Sequence, residues 1–210
     1  MNFDSKYLIR WGLPGWVCIL YFIYYLFMID KLNLSDMSKN ASSLIGSFIV
    51  VFPLGVIVGY LVYQMYFILL WITSTNELRN IKTLNVIKES NLTRLPEKRD
   101  EVYYHTEYMW HKYLVMQEEY KMNYISDRYR HLLTKKHEAG SLLTALVFSM
   151  PISGALVTRC IWGELSTFDM YMPVLNVVLI LYMIRTYLYY HRNVDYFVAG
   201  FLKDMIKNKI

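Results

Sequence analysis

Residues 44–72 read LIGSFIVVFPLGVIVGYLVYQMYFILLWI, and the uncharged run around them extends from Asn40 to Asn76. A helix needs about 20 mostly apolar residues to cross the hydrocarbon core of a bilayer. Inside lipid, a helix is one of two structures that satisfy every backbone N–H and C=O. The run is longer than one crossing and too short for two crossings and a turn. It is therefore read as one long helix from Leu44 to Ile72, tilted or kinked, with Pro53 as the kink point.

Three more uncharged runs follow the same logic. The first extends from Trp11 to Ile29, the third lies between Glu138 and Arg159, and the fourth lies between Asp169 and Arg185. The fourth reaches a full crossing, to about Tyr190, if Arg185 extends its head to the interface. Hydrophobic residues make up 55% of the 210-residue chain and charged residues 19%. The charges are bunched rather than spread, which argues against a soluble domain with a wet surface all round. The first run ends in Asp30-Lys31-Leu32-Asn33 with no small-x-small cleavage site, so it is read as a retained signal-anchor. The fold expected is all-α: a polytopic membrane protein with four transmembrane helices and a helical cytoplasmic hairpin between spans two and three. Spans one and two occupy 1–72, the cytoplasmic helical segment 73–138, spans three and four 139–190, and an amphipathic cytoplasmic helix 191–210.

Of the 22 Lys and Arg residues, only Lys31, Lys39 and Arg159 fall on the loops 30–43 and 159–169. The positive-inside rule then puts both termini and the middle segment in the cytoplasm. Trp11, Trp16, Trp71 and Trp162, with Tyr187, Tyr189 and Tyr190, sit where headgroup-level aromatics are expected. Cys18 and Cys160 fall near opposite faces and are not expected to pair.

The middle segment reads as helix, break, helix. Thr75 to about Lys88 continues span two, and Ser90-Asn91-Leu92-Thr93 with Pro96 marks the break. From Glu97 there is no Pro or Gly until Gly140, so one helix is expected to run straight into span three. Its apolar stripe is Val102, Met109, Tyr113, Met116 and Tyr120. Such a stripe is buried either within the chain or against a partner, a second copy or a cytosolic protein. Met109, Tyr113, Met116 and Tyr120 are the candidate contact residues, together with Gly55 and Gly59, whose spacing permits close helix packing. Phe197, Phe201, Leu202, Met205 and Ile206, with Lys203, Lys207 and Lys209, suit an amphipathic helix on an anionic lipid surface or one packed on the cytoplasmic segment.

Catalytic constellations are sparse. His105, His111 and His131 each follow a carboxylate by four residues (Glu101, Glu107, Asp127), yet Glu101 and Glu107 point in different directions and no HExxH spacing occurs. Those side chains are read as solvated surface, and no metal, cofactor or catalytic residue is expected. Arg128, Arg130, Lys135 and Lys136 form a basic patch read first as a positive-inside anchor, with nucleic acid or phosphoinositide as the other ligands it suits. Arg130 and His137 match the Arg-x(4–6)-His spacing of HEPN ribonucleases, which makes a membrane-tethered ribonuclease one alternative. In the spans, Gln64, Thr144, Ser149, Ser153 and Asn176 are the polar residues, and an oligomeric channel lined by Gln64, Ser149, Ser153 and Asn176 is another alternative. Pro151 and Gly154 are expected to bend span three.

The size, the four spans and the helical insert between spans two and three resemble the small four-span subunits of prokaryotic antiviral systems. Examples are the membrane subunit of Kiwa and the membrane accessory proteins of RNA-targeting CRISPR loci. Arg10-Trp11-Gly12-Leu13-Pro14-Gly15-Trp16 is the most distinctive local string, and no functional residue is carried over from it. The resemblance implies a sensor or effector that acts at the inner (plasma) membrane with a cytosolic protein partner. The apolar stripe and the lack of a catalytic constellation lead to the expectation of a non-enzymatic subunit, a homo-oligomer in contact with membrane lipid.

Overall fold

The computed structural model describes residues 5–29, 41–73, 81–89, 99–163 and 170–207. Lys31, Asn33, Lys39 and Asn40, the break at Ser90–Thr93 and Pro96, and Lys209 lie outside them. All regular structure among the described residues is helical: α1 (Ser5–Met28), α2 (Ala41–Thr73), α3 (Ile81–Glu89), α4 (Arg99–Val115), α5 (Glu119–Phe148), α6 (Met150–Ile161) and α7 (Tyr171–Lys207). Among the described residues, Arg10–Met28, Ile49–Leu70, Glu119–Ile161 and Tyr171–Lys207 are the four helical stretches long and apolar enough to cross a membrane. The chain divides into two units, Met1–Leu70 with Glu138–Thr186 and Trp71–His137 with Tyr187–Ile210.

In the first unit, α1 and α2 meet through glycine. A Cβ on Gly15 would strike the carbonyl of Gly55 and the amide of Gly59, and one on Gly59 would strike the carbonyl of Trp11. Backbone thus touches backbone, the approach that small residues permit between helices in lipid. Trp16 lies over Gly55, stacks at a tilt on Phe52 with centroids 4.9 Å apart, and donates its Nε1–H to the Phe52 carbonyl at 3.1 Å. Gly55 and Gly59, expected at a contact between copies, are therefore occupied by the chain's own α1. Gly140 of α5 makes room for a side chain of α2, because a Cβ there would enter the ring of Tyr66.

The bend in span three falls at Ser149, between α5 and α6. Pro151 stands in the first turn of α6 and lacks an N–H for the preceding turn. Gly154 plays no part in the bend, since it lies inside α6 facing open space. Gly163, at φ +76°, ends α6 in the left-handed conformation that suits glycine. Pro53 does not interrupt α2, which is continuous from Ala41 to Thr73.

The second unit has a core of Ile87 (α3), Met109, Trp110, Tyr113 and Leu114 (α4), Leu132 (α5), and Val194, Val198, Leu202 and Ile206 (α7). The four α7 residues recur every fourth position and form one face of the helix. The C-terminal apolar face is thus spent inside a helical core rather than left for a lipid surface, and residues 192–207 extend α7 instead of forming a separate helix.

The helix expected to run unbroken into span three is two helices. α4 stops at Val115, and Met116-Gln117-Glu118 turns the chain without Pro or Gly. Gln117 donates its side-chain N–H to the Tyr113 carbonyl at 3.2 Å, which satisfies an orphan acceptor at the α4 C-terminus. Glu119 opens α5, where negative charge favours a helix start. The two helices return on each other: Trp110 packs on Tyr129 at 4.9 Å, and the Tyr129 hydroxyl donates to Glu107 at 3.4 Å.

Candidate functional site

Two sets of polar groups inside the first unit link residues far apart in sequence. At one end of α1, Arg10 donates to the Tyr63 hydroxyl at 2.6 Å, and its guanidinium also lies 5.1 Å from the centroid of that ring. Glu138 is within electrostatic reach of Tyr63. The second set runs from α1 to α7. The Cys18 thiol faces the Ala145 carbonyl at 3.7 Å, an acceptor it shares with the Ser149 hydroxyl at 2.9 Å. One turn further, the Asn176 side chain donates to the Ser153 hydroxyl at 2.8 Å. Asn176 and Ser149 are each 1% exposed and Tyr21 2%, and neither the Asn176 carbonyl oxygen nor the Tyr21 hydroxyl has a partner among the described residues. Ser149, Ser153 and Asn176, named from the sequence as channel-lining, thus bond within one chain.

The second unit carries a different kind of feature. α3 has its first turn held from far along the chain: Asp195 of α7 accepts the Lys82 and Thr83 backbone N–H groups, each at 3.1 Å, and the Thr83 hydroxyl at 2.8 Å. This is the work of an N-cap side chain, supplied by another helix. On the outside of the unit, large apolar side chains stay uncovered. Tyr104 and Tyr108 are exposed on α4, and Tyr124 on α5. At the tip of the α4–α5 hairpin, Val115, Met116 and Tyr120 are 73%, 55% and 82% exposed.

The residues proposed as one contact stripe therefore separate. Met109 and Tyr113 lie in the core of the unit, while Met116 and Tyr120 lie outside it at the turn. The period of the sequence assumed one helix, and the turn at 116–118 breaks its phase. Trp110, which sequence reading passed over, is the centre of that core, packed on Tyr129, Phe201 and Phe197. In the basic patch, Arg128 and Arg130 are exposed, Arg130 lying 3.9 Å from Asp127, whereas Lys136 is buried and Lys135 half-buried. Arg130 and His137 stand seven residues apart on α5, roughly 10 Å along its axis, and His137 is half-buried. No group of three or more His, Cys, Asp or Glu side chains suited to a metal occurs among the described residues. Comparisons with protein-family models, with curated proteins and with solved structures find nothing that matches this chain.

Proposed function

We propose that this chain is a non-enzymatic membrane subunit that receives a cytosolic protein on the tip of the α4–α5 hairpin. The observation that carries the reading is the uncovered set Val115, Met116 and Tyr120. Glu118 and Lys121, an exposed ion pair at 3.3 Å, stand among them, so this tip belongs in water and not in lipid. Exposed Tyr and Met side chains are the composition of protein interfaces, where a rigid ring supplies area at small entropic cost. The two units share α5 and α7, each of which contributes residues to both. Binding at the tip would therefore be passed to the spans along continuous helices. The layout shared with four-span subunits of antiviral systems suggests a sensor or effector in defence.

A photo-crosslinking residue placed at 116 or 120 in living cells tests the reading. The expected result is a discrete crosslinked protein at both positions and none from position 203, an exposed lysine on α7. Val115→Glu with Tyr120→Glu should abolish both the crosslink and the cellular phenotype while the protein still inserts in the membrane. A phenotype intact in that double variant would refute the docking role.

A further inference from the structure

α2 has two faces. Gly55, Gly59, Val62 and Tyr66 are buried within the chain. About half a turn away, Val50, Leu54, Ile57, Leu61, Gln64 and Ile68 are exposed, recurring at intervals of 4, 3, 4, 3 and 4. For the five apolar members exposure costs nothing in a bilayer, because lipid tails solvate them as well as Leu does. Gln64 is different. Its amide carries a carbonyl and two N–H bonds, and it makes no hydrogen bond among the described residues.

Gln64 stands six residues inside the Leu70 end of the apolar stretch Ile49–Leu70, about 9 Å along the axis. The side chain is too short to lift its amide to the headgroups from that depth. In hydrocarbon an unpaired amide costs several kcal/mol. Its chemistry also says what should cover it. An amide is donor and acceptor at once, so two copies of the same side chain satisfy each other across a two-fold axis, where a residue meets its own counterpart. The flanking 4–3 spacing is the seam along which two helices interdigitate, and one polar residue in such a seam sets register.

We propose that two copies of this chain associate through the exposed stripe of α2, with Gln64 bonded to Gln64 of the second copy. This goes beyond the hairpin docking and does not depend on it. It uses only the span assignment of α2.

The test uses the full chain, reconstituted in phosphatidylcholine–phosphatidylglycerol bilayers with Cys18 and Cys160 replaced by Ala. Single cysteines are introduced by Leu61→Cys or Ile68→Cys on the stripe and by Leu69→Cys off it. Oxidation should give a disulfide dimer from the first two and little from the third. Gln64→Leu, which keeps the side-chain size and faces lipid, should weaken self-association by about three- to thirtyfold. Gln64→Asn should lose less. Association unchanged by Gln64→Leu, equal crosslinking from Leu69→Cys, or a chain that stays monomeric at every protein-to-lipid ratio would overturn the proposal. Pairing of Gln64 with a different protein only would overturn it too.

Discussion

Replacing Asp195 by Ala should release α3 from the second unit. The carboxylate accepts three hydrogen bonds, from Lys82 N–H, Thr83 N–H and the Thr83 hydroxyl. Asp195 is 8% exposed and Thr83 fully buried, so water cannot take over freely. Loss of an N-cap side chain costs about 0.5–2 kcal/mol. Each buried donor left unmade adds about 1–3 kcal/mol. The Thr83 hydroxyl keeps one alternative, the Asp195 backbone carbonyl at 3.3 Å, which limits the loss. The sum for docking of α3 is then about 2–4 kcal/mol. Asp195→Asn keeps one acceptor oxygen and should cost about half as much. Thr83→Val removes only the hydroxyl and should cost about 1 kcal/mol. Amide hydrogen exchange of the α3 peptide reads this directly, since local opening sets the rate. Every 1.4 kcal/mol is tenfold, so Asp195→Ala should speed exchange at Lys82 and Thr83 by roughly thirtyfold or more. The order should be Asp195→Ala, then Asp195→Asn, then Thr83→Val. If Asp195→Ala leaves α3 exchange within about twofold of the unaltered chain, the capping account is wrong.

Other outcomes follow from the same packing. Gly15→Ala or Gly59→Ala should destabilise the detergent-solubilised protein by about 1–3 kcal/mol, because the new Cβ meets backbone that cannot turn aside, while Gly154→Ala, facing open space, should be neutral or mildly stabilising in a thermal melt. Leu202→Ala, at a position with no exposure, should cost about 2–5 kcal/mol and shift the fluorescence of Trp110, which belongs to the same core. Ser153→Ala leaves the buried Asn176 amide without its acceptor, so it should cost more than Ser153→Ala combined with Asn176→Leu; a double-mutant cycle with coupling of about 0.6–2 kcal/mol would agree, and strict additivity would not.

The four long apolar helices were legible because the requirement for a crossing is one-dimensional: length without charge. The same rule says little about which residues touch. The period of the 102–120 stripe failed at Met116-Gln117-Glu118, a turn with neither Pro nor Gly. Its only marks in the sequence are a glutamine that caps the helix before it and a glutamate pair at the next helix start. The C-terminal apolar face was visible, but its partner was not, since a lipid surface and a helical core select the same side chains. Asp195 capping α3 across 112 residues left no local signal at all. Trp110 was hidden because it sits beside the stripe rather than on it.

The glycines of α2 show why a packing motif does not name its partner. Gly-x-x-x-Gly licenses the close approach of some helix, and α1 supplies it with Gly15, Trp11 and Trp16. The distinctive string around Pro14 thus has a structural reading: Gly15 sits where a Cβ would break a backbone contact, and Trp16 closes over Gly55. Once that groove is filled, no second copy can use it. The stripe opposite that groove is wide-bodied and without small residues. Backbone approach cannot supply the specificity there. A polar group in an apolar solvent can, and on that stripe Gln64 is the residue that has one.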